Sequence, residues 1–261
     1  FTDVTKKYAL PSAVVTSTCY QDGKLFIGTK NQGLQVTSLY GSVSTIPLTN
    51  AVFSTGESID ETDLIKMLEG TTIRSIILDQ DNAMWLSTYS DYGLIKYKDG
   101  IVVCYNEDSG LPTSRVRTIF KFMDGTVVVA TSTGLAKIYP DGQVVSYDEL
   151  NSILNANVLA VSEGMGGDII VSTDGDGIYI CREDGISHIT TEEGLSSDIV
   201  MRVKFDHEND IFWVITSNAI CYLDKYYEST VVSNFPYSNN FDIQFDDKGN
   251  SWVLSSNGIY V

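Results

Sequence analysis

Residues 116–147 read Val116-Arg-Thr-Ile-Phe-Lys-Phe122, Met123-Asp-Gly125, Thr126-Val-Val-Val-Ala-Thr131, Ser132-Thr-Gly134, Leu135-Ala-Lys-Ile-Tyr139, Pro140-Asp-Gly142 and Gln143-Val-Val-Ser-Tyr147. Four short runs of β-branched and aromatic residues are separated by glycine-containing turns, the pattern of a meander of hairpins. The run Thr-Val-Val-Val-Ala is apolar at consecutive positions, which marks a strand covered on both faces.

The same grammar recurs on either side. A bulky or β-branched residue is followed three places later by Ser or Thr in Phe26-Ile-Gly-Thr29, Trp85-Leu-Ser-Thr88, Val128-Val-Ala-Thr131, Ile170-Val-Ser-Thr173, Trp213-Val-Ile-Thr216 and Trp252-Val-Leu-Ser255. The closing hydroxyl residues lie 59, 43, 42, 43 and 39 residues apart, and all three tryptophans occupy one column. Turns recur at Asp22-Gly23, Asp99-Gly100, Asp124-Gly125, Asp141-Gly142, Asp184-Gly185 and Lys248-Gly249. Four strands per repeat, covered on both faces by neighbouring units, describe an all-β fold, a β-propeller of four-stranded antiparallel blades.

Six blades are expected, in one domain spanning 1–261, with repeats near 8–43, 70–112, 113–155, 156–198, 199–240 and 241–261 plus 1–7. The last repeat supplies three strands. Residues 1–7 resemble a fourth strand, so the N-terminal strand is expected to close the ring and remove both exposed edges. Deleting residues 1–7 should then lower the melting temperature sharply, and an unchanged melt would exclude this closure. The rival is a larger ring with blades outside this chain.

The spacing of 59 holds an insertion at 44–69. Ser58-Ile-Asp-Glu61 has the form of a capping box, Leu64, Ile65 and Leu68 form an apolar stripe, and Gly70 suits a helix stop. A short helix over roughly 59–69 is expected, packed on the outside or one rim, its stripe serving the core more readily than a partner.

Seventeen Lys+Arg against 34 Asp+Glu leave a net charge of −17 and a pI near 4.3. That balance argues against binding nucleic acid, which requires a basic stripe, and against polybasic docking on anionic lipid. A 43% hydrophobic composition argues against disorder, and no apolar run approaches a membrane span. The start at Phe-Thr-Asp, without Met or signal peptide, suggests a piece of a longer protein. Cys19, Cys104, Cys181 and Cys221 are widely spaced and read as reduced thiols packed in strands; structural zinc is not expected with only two histidines.

The motifs Gly110-Leu-Pro-Thr-Ser-Arg-Val-Arg-Thr-Ile119, Asp79-Gln-Asp-Asn-Ala-Met-Trp-Leu-Ser-Thr88 and Gly194-Leu-Ser-Ser-Asp-Ile-Val-Met-Arg-Val203 resemble the two-component regulator propeller repeat of bacteria. The resemblance covers essentially the whole chain outside 44–69. Val128 and Ile170 depart from its Trp column, and Ala219 from the glycine of the second turn. The resemblance implies an extracytoplasmic sensor region of a membrane receptor, with a histidine kinase or GGDEF output domain. Residues 234–243 and the Trp-Val-Leu-Ser-Ser-Asn-Gly-Ile-Tyr that follows look most like the GGDEF-linked branch. The family has no fixed ligand residues to carry over.

No catalytic constellation stands out. His188, in an outer strand, and His207, in a turn, read as strand or solvated residues. The acidic turns at Asp79–Asn82 and Thr173–Gly177 lack the spaced oxygens of a calcium loop and read as hairpin turns. No cofactor and no metal is expected. The leading reading is ligand sensing on the face formed by loops entering each first strand and loops joining second to third strands. There Arg74, Arg117 and Arg202 are expected in one column, with Arg115 close by. Tyr89, Asp91, Tyr92, Asp174, Asp176, Asn218 and Asn257 come from the turns. Converging guanidinium groups suit an unknown small molecule carrying a carboxylate or phosphate, or an acidic sugar. The alternative use of these arginines is to pair with acids and join blades. A second reading is a protein-interaction platform or homodimer, given 15 tyrosines. A propeller lyase or hydrolase is a third.

Overall fold

The computed structural model describes residues 14–122, 124–232, 240–246, 248–255 and 258–261. The fold is a β-propeller with six blade sheets. Contacts divide the chain into two compact units, Phe1–Tyr147 and Asp148–Val261.

In the first unit, one blade comprises β1 (Val15–Gln21), β2 (Lys24–Thr29), β3 (Leu34–Ser38) and β4 (Gly41–Val43). The next contains β5 (Asn50–Phe53), a helical turn α1 (Leu64–Met67), β6 (Thr72–Leu78), β7 (Met84–Tyr89), β8 (Leu94–Lys98) and β9 (Ile101–Tyr105). A third follows as β10 (Val116–Lys121), β11 (Val127–Thr131), β12 (Leu135–Ile138) and β13 (Val144–Ser146). The second unit opens with a short helix α2 (Asp148–Ile153). Its first blade is β14 (Val158–Glu163), β15 (Ile169–Thr173), β16 (Ile178–Arg182) and β17 (Gly185–Ile189). Its second is β18 (Val200–Asp206), β19 (Ile211–Thr216), β20 (Ile220–Leu223) and β21 (Ser229–Val231). The last is β22 (Asn240–Phe245), β23 (Ser251–Ser255) and β24 (Gly258–Tyr260). The expected closing strand at 1–7 lies outside the described residues.

The β11 and β15 strands are buried at every position, as their unbroken apolar runs require. At Asp22-Gly23 and Asp99-Gly100 both central residues have positive φ, the type I′ geometry that matches strand twist. The hydroxyl column closes the loop after five of the second strands. Thr29, Thr88, Thr131, Thr173 and Thr216 are buried, and each donates from Oγ1 to the carbonyl just before the third strand, at 2.7–2.9 Å. A buried hydroxyl is tolerated there because its hydrogen bond is made.

The Trp column has an equally specific partner. The indole N–H of Trp85 donates to Asp79 at 3.0 Å, that of Trp213 to Asp206 at 3.0 Å, and that of Trp252 to Asp246 at 2.9 Å. The same carboxylates accept backbone N–H groups across their own turns, such as Asp81 and Ala83 on Asp79 at 2.9 Å. Hence Asp79 serves a hairpin turn. All four cysteines lie in strands, three of them buried and Cys19 half-buried. Burial pushes the Cys104 thiol up to about 12.

The insertion at 44–69 corrects the sequence reading. Residues 50–59 form a small hairpin, so the expected capping box at Ser58 opens no helix: Ser58 bridges to Val52, and the Ile59 N–H donates to the Ala51 carbonyl at 2.8 Å. Its first arm, β5, pairs in parallel with β9 and makes that blade five-stranded. The helix shrinks to Leu64–Met67 and is capped by Asp63, whose Oδ1 accepts the Lys66 N–H at 2.9 Å. Glu61 turns to its neighbour's N–H and to Lys66 instead. The stripe does serve the core: Leu64 and Leu68 are fully buried beside Phe26 and Ile73. Its fit is close, since a Cβ on Gly33, at φ +73, would lie 2.2 Å from the Leu68 carbonyl oxygen.

Candidate functional site

Every first strand carries a β-bulge near its start. In β6, Ile73 pairs with Thr88 and Ser75 with Ser87, leaving Arg74 as the extra residue. In β10, Val116 pairs with Thr131 and Thr118 with Ala130, leaving Arg117. Bulges re-aim a side chain out of the pleat, so two adjacent first strands present arginine at an equivalent position.

The two guanidinium groups meet at Tyr89, the last residue of β7. Arg117 Nε donates to the Tyr89 hydroxyl at 3.1 Å, and Arg74 lies 5.6 Å above the Tyr89 ring. Arg115 reaches the same place through an isolated bridge with Tyr89 and is exposed. Arg74 and Asp91 are also exposed, while Arg117 is half-buried. Four expected residues thus converge: Arg74, Tyr89, Arg115 and Arg117. Tyr92 goes elsewhere, stacking on Phe53 of β5 at 6.2 Å, with burial pushing its phenol upward.

Arg202 does not share the arginine column. In β18, Val200 pairs with Thr216 and Arg202 with Ile215, so the bulge residue is Met201. The cause is one extra residue in the turn: seven positions separate Asp206 from Trp213, against six from Asp79 to Trp85. Counting back from tryptophan therefore slips by one, and a slip by one changes a side chain's face. Arg202 instead pairs with Asp242 of the next blade at 3.2 Å, beside Lys204, also at 3.2 Å. Burial opposes ionisation of Asp242, but Arg202 and Lys204 outweigh it and hold the carboxyl below its ordinary value. For Arg202, the blade-joining use is the one observed.

Also in the second unit, Asp174 is exposed, and Asp176 accepts the Tyr179 hydroxyl at 2.5 Å. His188 stacks on Tyr179 with ring centroids 4.2 Å apart, its Nε2 lying 2.7 Å from the Asp176 carbonyl oxygen. Burial, reinforced by Asp176, raises the Tyr179 phenol above its ordinary value. Asn218 ties its turn to the loop before β18, donating from Nδ2 to the Ser196 carbonyl at 2.7 Å. Asn257 lies outside the described residues. Among the described residues no group of His, Cys, Asp and Glu could hold a metal ion.

The charge is uneven between the units. Residues 1–147 hold 12 basic and 15 acidic residues; residues 148–261 hold 5 and 19. The arginine cluster belongs to the nearly balanced unit, where anion binding meets the least opposing field.

No protein-family model and no curated protein matches the chain. Solved structures do. Virginiamycin B lyase from Staphylococcus aureus, in complex with quinupristin, superposes with a TM-score of 0.68 at 14% identity, over 97% of this chain and 85% of that one. The extracellular domain of a candidate hybrid two-component system from B. thetaiotaomicron, BT3049, gives 0.62 at 21% identity, over 96% of this chain and 39% of that one. That of a candidate one-component system from the same organism, BT4673, gives 0.63 at 17%, over 94% and 32%. These likenesses establish the propeller fold, and this chain spans 39% and 32% of the two extracellular domains. No helix among the described residues is long and apolar enough to cross a membrane.

Proposed function

We propose that this chain is the extracytoplasmic ligand-sensing propeller of a bacterial signal-transduction receptor, with its output, a GGDEF or histidine kinase domain, outside the chain. The observation that carries the sensing role is the convergence of Arg74 and Arg117, from equivalent bulges, on Tyr89. Tyr89 holds the Arg117 fork in one orientation, so less side-chain freedom is lost when an anion binds. The ligand is a small molecule bearing a carboxylate or phosphate. The extracellular domains that share the fold support the receptor context. The lyases that share it are enzymes by name, but His188, the histidine that has a carboxylate neighbour, is stacked and hydrogen-bonded within its blade. This favours binding over catalysis.

A thermal-shift titration with glucuronate, galacturonate, succinate and inorganic phosphate tests the site. One of these should raise the melting temperature of the wild-type chain, and Arg117→Glu should abolish the rise while remaining folded. A folded Arg117→Glu protein with an undiminished response would sink the proposal.

A second reading, an interaction platform, is favoured by one surface. Tyr20, Leu39 and Tyr40, at the turns of the first blade, are 67%, 82% and 99% exposed. Exposed apolar clusters of this kind mark contact surfaces. Sedimentation over a concentration series would support it by showing a dimer that Leu39→Glu dissolves.

A further inference from the structure

Three of the chain's five arginines gather at Tyr89, and the other two are engaged elsewhere. Arg182 pairs with Asp168 at 3.5 Å, and Arg202 with Asp242 at 3.2 Å. Among the described residues Arg74 and Arg115 pair with no carboxylate, although acidic residues outnumber basic ones 34 to 17. Guanidinium groups kept clear of acids in so acidic a chain are poised for an anion from outside.

The groups that converge are donors. Arg74 and Arg115 each carry the five N–H groups of a guanidinium, which accepts nothing. The Tyr89 hydroxyl accepts the Arg117 Nε–H at 3.1 Å, which leaves its own O–H to donate. Nor do these donors share a plane. Arg74 stands 5.6 Å over the Tyr89 ring, whereas Arg117 meets the hydroxyl at the edge of that ring. They also come from different blades, Arg74 from β6 and Arg117 from β10, so the sheets fix their approach from two sides.

The shape of the donor set separates two kinds of anion. A carboxylate has two oxygens in one plane, and a single arginine fork satisfies it side-on. A phosphate group points three strong acceptor oxygens in tetrahedral directions and carries close to two negative charges at neutral pH. Three guanidinium groups and a hydroxyl that lie out of one plane match the second.

We infer that Arg74, Arg115 and Arg117, with Tyr89, bind a phosphate dianion, free or as a monoester. This rests on the reading of the cluster as an anion-sensing site and narrows it to one class of anion.

Isothermal titration calorimetry on the whole chain, with inorganic phosphate, glycerol 3-phosphate, sulfate and succinate as probes, tests this. At about pH 7.5 a phosphate probe should bind about tenfold or more tighter than succinate. Inorganic phosphate binding best identifies the free ion as the ligand, and glycerol 3-phosphate binding best identifies a monoester. The second phosphate pKa is about 6, so at about pH 5.5 the dianion falls to about a quarter and affinity should drop about fourfold. A guanidinium stays charged over this interval, and sulfate, doubly charged throughout, should show no such loss. Arg74→Lys keeps the charge but removes the fork, and should weaken phosphate binding about fivefold or more. Arg115→Gln, at an equally exposed position, is the second variant with the same expected loss. Phosphate bound no tighter than succinate, an affinity unmoved by pH, an equal acid loss for sulfate, or full affinity in both folded variants would overturn the assignment. Succinate binding that Arg117→Glu removes would then leave the broader sensing reading in place, whereas no heat with any anion would end both.

Discussion

At the scale of single residues, the repeat is a hydrogen-bonding device as much as an apolar one. Thr131 shows why its column holds hydroxyls: the residue is fully buried, and Oγ1 donates to the Gly134 carbonyl at 2.8 Å and accepts the Gly134 N–H at 3.2 Å and the Thr133 N–H at 3.3 Å. Thr131→Val keeps the shape and removes all three of these bonds. It should cost about 1–3 kcal/mol, read as a lower urea midpoint with unchanged slope. A neutral result would mean that the column is a packing preference only. The hydroxyl column was visible in the sequence because its spacing from the strand is short and regular. The Asp partners of Trp85, Trp213 and Trp252 were visible too, six or seven residues upstream, but a carboxylate in an Asp-Gly-rich turn reads as a turn former until the indole is seen on it.

At the scale of elements, those Asp–Trp pairs make each hairpin pH-sensitive. Burial opposes ionisation of Asp79, but the Trp85 indole and the Ala83 and Asp81 N–H groups outweigh it. The same holds at Asp206, where burial is outweighed by Asn209 and Trp213. At Asp246 the Asn250 amide and Trp252 indole lower the value. Folded values below unfolded ones add stability that is present above the unfolded value, about 3.9, and lost as pH falls through the folded values. The urea midpoint should hold from pH 7 to about 5 and fall below about pH 4. Asp206→Asn should flatten that acid limb; an unchanged limb would assign it to other carboxylates. The insertion is the element least legible in sequence. Ser58 and Glu61 fit a capping box, yet the free edge of β9 offered 50–53 a ladder of hydrogen bonds. Tertiary pairing overrode the local signal.

At the scale of the whole molecule, the −17 charge opposes compaction through self-repulsion. Raising salt from about 0.01 to 0.15 M shortens the screening length from about 30 to 8 Å. The melting temperature should rise over that interval; a fall would show that attractive pairs such as Arg202–Asp242 dominate. Same-sign charge also frames the binding proposals, since the arginine cluster sits in the unit with 12 basic residues against 15 acidic, not in the unit with 5 against 19.

The sequence by itself determined the repeat, the four-strand meander with its Asp-Gly turns, and the hydroxyl column, because each is set by interactions within about ten residues. Four of the site residues it singled out, Arg74, Tyr89, Arg115 and Arg117, do come together. Only the tertiary structure decided that Arg202 leaves their column for Asp242, that Tyr92 turns to Phe53, and that residues 50–53 become a strand. Each of those outcomes depends on register or on partners tens of residues away, such as the 40 positions between Arg202 and Asp242. One added residue in a turn shifts register without changing the local pattern, so the periodicity that reveals the blades carries no record of it.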